Sequence, residues 1–118
     1  MQQKKADLDH AATCLSQTIL MKKEMTHLAK RINVCINSFN RKKQEAQKND
    51  EILSREDLVM LNNILDTANA QSILVESFII DLNELPPSKI EAYSLSISQT
   101  LGYIFNSTDL MENSLKIA

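Results

Sequence analysis

Apolar residues recur at intervals of three and four along three long stretches of this 118-residue chain. That spacing keeps one face of a 3.6-residue helix in phase, and few folds other than packed amphipathic helices can use it. The first stripe is Ala11, Cys14, Thr18, Met21, Met25, Leu28, Ile32, Cys35 and Phe39. The second is Leu58, Leu61, Leu65, Ala68, Ser72, Val75, Ile79 and Leu82, and the third is Ile90, Ser94, Ile97, Leu101, Ile104, Thr108, Met111, Leu115 and Ala118. Leu15, Ile36, Ile64 and Phe78 flank the stripes and widen them from a coiled-coil seam toward a bundle core. The pattern predicts an all-α fold, an antiparallel bundle of three long helices at about 3–48, 55–84 and 88–117, in one domain spanning 1–118. A chain of this size buries roughly two thirds of its unfolded surface and supports a single core.

The punctuation agrees. One Gly and two adjacent Pro leave few tight turns, which disfavours barrels, sandwiches and Gly-dependent phosphate loops. Ser54-Arg55-Glu56-Asp57 places a hydroxyl at an N-cap and carboxylates in a first turn, where free amides and the helix dipole favour them. Pro86-Pro87 ends a helix, and Ser88-Lys89-Ile90-Glu91 then reads as a capping box opening the third. Asn33, Asn37, Ser38 and Asn40 are weak helix formers, so the end of the first helix is the loosest boundary. Gly102 and the run Asn106-Ser107-Thr108-Asp109 admit a broken third helix, with a short fourth starting near Ser107. A rival period of two also exists: Tyr93, Leu95 and Ile97 alternate with serines, and 73–80 is rich in β-branched residues. Helix is preferred because the 3,4 phase runs through both segments and both open on capping residues.

Chemistry is sparse. Cys14 and Cys35 lie 21 positions apart on one predicted helix, roughly 30 Å, too far for a disulfide, and both sit on the apolar stripe as small hydrophobes. Glu24-x-x-His27 has metal-ligand spacing, but its nearest echo, Asp7-x-x-His10, faces another way, and a di-iron bundle needs two such motifs with further carboxylates. No metal or other cofactor is expected. Cys35 and the serines have no histidine that the helical register would bring close, and no Gly-rich turn supplies oxyanion donors, so the chain is not read as an enzyme. Asn106-Ser107-Thr108 matches a glycosylation acceptor, yet no secretory leader or membrane span is apparent, and the expected location is cytoplasmic.

Two features remain that bear on function. Helix 1, at about 69 Å, outruns partners of about 45 Å, which exposes the start of its stripe. Residues 1–50 also hold ten Lys and Arg against five Asp and Glu, whereas 51–118 hold three against ten. The first feature points to a non-catalytic helical interaction module (adaptor, chaperone-like or assembly subunit) that binds itself or a partner helix through Leu8, Ala11, Cys14, Leu15, Thr18 and Met21. In size and helix content alone the chain resembles small all-α secretion chaperones and adaptors, with no motif behind the likeness. The second feature supports an alternative, a small nucleic-acid-associated regulator using Lys22, Lys23, Lys30 and Arg31. No aromatic residue is interleaved with these cations and no helix-turn-helix signature accompanies them, so the simpler expectation is a basic helix packed against acidic ones.

Overall fold

The computed structural model describes residues 2–48 and 54–115, with side chains from residue 17 onward. Three helices account for nearly all of it: α1 (Gln2–Lys48), α2 (Arg55–Glu84) and α3 (Pro87–Leu115). The long axis of the molecule, 74 Å, is close to that of α1 itself, whose 47 residues at about 1.5 Å each make a rod of about 70 Å. α2 runs antiparallel to α1, pairing Asn62 with Lys43 and Ser72 with Asn33. α3 returns parallel to α1, with Ile90 and Ser94 beside Thr18 and Met21, and Glu112 beside Arg31. α1 is the spine: both other helices pack on it more extensively than on each other.

The core is built from the three stripes. Met25, Leu28, Ile32, Cys35 and Phe39 of α1 meet Leu65, Ala68, Val75 and Leu82 of α2 and Ile97, Leu101, Ile104, Met111 and Leu115 of α3. Each large apolar side chain removed from water here contributes roughly 1.5–3 kcal/mol. Leu58 departs from the expected pattern, lying exposed in the first turn of α2. Its neighbour in phase, Leu61, is the first of the stripe to pack on the core.

Local chemistry explains the ends. Ser54 is extended at φ −57° and ψ 153°, and its hydroxyl accepts from the Asp57 amide at 3.1 Å, while Glu56 and Asp57 face the positive end of the dipole. At the other end Leu85 is extended, because the ring of Pro86 crowds a helical conformation in the residue before it. Helix α3 then begins at Pro87 rather than Ser88, so the capping box is not the cap: proline fits the first helical position, where no amide partner is required, and Ser88 falls inside the first turn.

Two alternatives are set aside, and the preferred helical reading holds. α3 continues unbroken through Gly102 and residues 106–109, and no short fourth helix forms. Thr108 is fully buried, its hydroxyl donating to the Ile104 carbonyl at 2.8 Å, which satisfies a polar group that would otherwise favour a break. The serines of the period-two segment behave alike: Ser96 donates to the Tyr93 carbonyl at 2.6 Å and Ser98 to that of Leu95 at 2.9 Å. Leu95 is 71% exposed whereas Ile97 is buried, an arrangement that a two-residue repeat does not give. At the Asn-rich stretch α1 also holds, because Phe39 and Ala46 remain buried and Lys43 donates to Asn62 at 3.1 Å.

Candidate interaction surfaces

Each pair of helices is keyed by a polar contact, and these contacts decide which charged and apolar residues are left to the surface. Between α1 and α2, Ser72 donates to the Asn33 side-chain carbonyl at 3.2 Å. Between α2 and α3, the Gln71 amide donates to the Ser107 hydroxyl at 3.1 Å, and the Tyr93 hydroxyl donates to Asp81 at 2.6 Å. Phe78 packs edge-on against the Tyr93 ring, with centroids 6.5 Å apart.

Burial and the bond to Asp81 push the Tyr93 hydroxyl up to about 12. A group with a raised folded value stabilises the fold fully below its ordinary value near 10 and loses that contribution as pH climbs through 12. Tyr93→Phe is expected to cost about 1 kcal/mol at neutral pH and to remove this alkaline loss. Urea titrations of both proteins at pH 7 and pH 11 check it; an unchanged midpoint at pH 7 would show that the bond contributes nothing.

Arg31 ties α1 to α3 by charge. Its Nε and one terminal nitrogen grip the Glu112 carboxylate at 3.1 and 2.5 Å, and the same terminal nitrogen reaches Asp109 at 2.5 Å. The bond to Glu112, with that to Asp109, raises the guanidinium further above its ordinary value, and the guanidinium in turn holds the Glu112 carboxyl below the usual range. Such two-pronged pairing fixes rotation about the helix axis as well as charge.

Of the residues of the alternative basic face, one is engaged within the fold. Arg31 turns toward α3 and leaves that face, whereas Lys22, Lys23 and Lys30 line a shallow open patch of α1 together with Ile19, Thr26 and His27. Among the described residues no group of three or more His, Cys, Asp or Glu side chains converges as a metal site would require, and Glu24 and His27 are both exposed.

For the N-terminal stripe, the side chains of Leu8, Ala11, Cys14 and Leu15 lie outside the described residues. Thr18 and Met21 are described, and they correct the extent of the open stretch: Thr18 is 4% exposed and Met21 packs half-buried on the core. The cause is the parallel course of α3, which sets Ile90 and Ser94 beside them. Cover by α3 thus extends at least to Thr18. Cys35 is wholly buried, and burial pushes its thiol up, so it behaves as a small hydrophobe rather than a nucleophile.

One surface was not anticipated. α2 and α3 are tied at the Leu85-Pro86 turn and clamped there by Tyr93, but toward the start of α2 and the end of α3 the space between them is a groove of about 760 Å³. Phe39 of α1 lines it with Val59, Met60 and Ile64 from α2 and Leu110 and Met111 from α3. Val59, Met60 and Leu110 are 52, 61 and 68% exposed. A signal was present: Leu58-Val59-Met60-Leu61 covers most of a helix circumference, so a single core-facing stripe cannot bury all four.

Compared with protein-family models, curated proteins and solved structures, the chain matches none. Among the described residues no helix is long and apolar enough to cross a membrane.

Proposed function

We propose that this chain is a non-catalytic helical interaction module, an adaptor, chaperone-like or assembly subunit that binds itself or a partner helix through the N-terminal stripe of α1. The observation that supports this most is a difference in length: α1 has 47 residues against 30 in α2 and 29 in α3. Its partners cover α1 from about Thr18 onward. The preceding segment carries Leu8, Ala11, Cys14 and Leu15 at helical spacing, and an apolar face of this kind is stable in water when another helix covers it. Leu15→Asp places a carboxylate on that face and is expected to abolish association, leaving the far-UV spectrum unchanged. Retention of full association by this variant would refute the assignment.

The second reading, a nucleic-acid-associated regulator, is favoured by one observation, the common open face of Lys22, Lys23 and Lys30. Salt separates the two readings. A phosphate-driven complex weakens steeply as salt rises and is lost in Lys30→Glu, whereas a complex held by apolar burial persists in both cases.

A further inference from the structure

We propose that the groove between α2 and α3 is a docking site for an amphipathic helix of a partner protein whose apolar stripe is flanked by Lys or Arg. The inference rests on the reading of the chain as an interaction module but concerns a different surface from the N-terminal stripe.

Three observations carry it. The first is an apolar interior kept open by the fold: α2 and α3 each pack on α1 more than on each other, and beyond the Gln71–Ser107 bond, toward the start of α2, the space between them is open. Met60 and Leu110 stand on opposite walls of that opening, more than half exposed, above a floor that includes Phe39. A helix laid between two helices of a three-helix bundle completes a four-helix arrangement, and side chains at its third and fourth positions enter such a groove.

The second observation is the polarity of the walls. Apart from Arg55 and Glu56 at the mouth, every side chain lining the groove is uncharged; Asn63, Thr67, Ser107 and Ser114 supply its polar edge. A charged residue would be excluded from the contact itself, and an apolar stripe is accepted.

The third is the charge around the opening, which sets the flanks of the occupant. Across 55–115 there are two cations, Arg55 and Lys89, against nine carboxylates. Of the nine, Asp109 and Glu112 are engaged with Arg31, and Asp81 with Tyr93. Glu56 and Asp66 remain exposed on the stretch of α2 that forms one wall, against the single cation Arg55 that lines it, whereas Asp57 faces Lys42 on the other side of α2. Lys and Arg beside the apolar stripe of an incoming helix would meet these carboxylates, whereas Asp and Glu would meet like charge, which costs specificity and slows encounter. A second copy presenting its own α2–α3 face would bring acidic rims together, which disfavours that occupant.

The test uses the full-length protein and three synthetic 21-residue peptides: one with Leu at heptad positions a and d and Lys at e and g, the same peptide with Glu for Lys, and a scrambled Lys peptide of identical composition. Fluorescence anisotropy is expected to show binding of the Lys helix at least about tenfold tighter than either control. Leu110→Asp, at a largely exposed position, should weaken it at least about tenfold with the circular dichroism unchanged, and Glu56→Lys with Asp66→Lys should reverse the preference between the Lys and Glu peptides. Equal affinity for the Lys and Glu helices, equal affinity for the scrambled peptide, or no effect of Leu110→Asp would each overturn the proposal. So would a dimer that Leu110→Asp dissolves and that binds no peptide, since the groove would then belong to a second copy. Leu15→Asp leaves all of these readings untouched, so failure of the N-terminal stripe and failure of the groove are told apart.

Discussion

Ile32→Asp is expected to abolish cooperative unfolding altogether. Ile32 is fully buried at the centre of α1, on the face that both α2 and α3 cover. An unpaired carboxylate there costs several kcal/mol even after relaxation, and loss of the isoleucine packing adds roughly 2–5 kcal/mol. Together these approach the roughly 5–15 kcal/mol that holds an ordinary domain folded. Ile32→Val keeps the shape and should cost only about 0.5–1.5 kcal/mol. Thermal melts followed by circular dichroism compare the two; a sigmoidal transition in Ile32→Asp near that of the parent would show that this residue does not sit in the core.

Arg31→Glu should have the next largest effect. The substitution removes three charge-assisted hydrogen bonds and sets a third carboxylate beside Asp109 and Glu112. The Arg31 side chain is 21% exposed and that of Asp109 59%, so water screens part of the interaction. The expected loss is about 2–3 kcal/mol at pH 7, or about 10 °C in Tm. The sign of the pH dependence distinguishes this from a general loss of packing. In the parent, the depressed Glu112 carboxyl contributes stability above the ordinary carboxylate range that is lost as pH falls through its lowered value. In Arg31→Glu the crowded carboxylates repel, and protonation between about pH 6 and pH 4 relieves them, so the two stability curves should converge on acidification. A gap that stays constant with pH would assign the loss to packing.

The helices were legible because the stripe phase and the punctuation agreed. Leu28, Ile32, Cys35, Val75, Leu101 and Ile104 are core residues both by spacing and by burial. Ser54 caps α2 as its side-chain chemistry requires. Where the sequence left alternatives open, a tertiary contact or a local bond decided the matter. Ser96, Ser98 and Thr108 looked like breakers or strand residues, yet their hydroxyls bond to carbonyls three or four residues back and are tolerated within α3. Arg31 resembled its basic neighbours until the parallel course of α3 brought Glu112 alongside.

The surfaces were harder to read for a related reason. Thr18 and Met21 continue the N-terminal stripe in sequence, and only the placement of Ile90 and Ser94 beside them shows that α3 covers them. Met60 and Leu110 are 50 residues apart in the chain. Nothing local to either announces a shared groove, because it arises from a short turn at one end of two helices and its absence at the other.

Light scattering of the isolated chain across a range of concentrations, beside Leu15→Asp, tests most directly whether the N-terminal stripe of α1 is an association surface. The account predicts a mass that is a multiple of 13.4 kDa for the parent and 13.4 kDa for the variant. A parent that stays at 13.4 kDa throughout would exclude self-association through this stripe, and an assembly whose mass Leu15→Asp leaves unchanged would contradict the account.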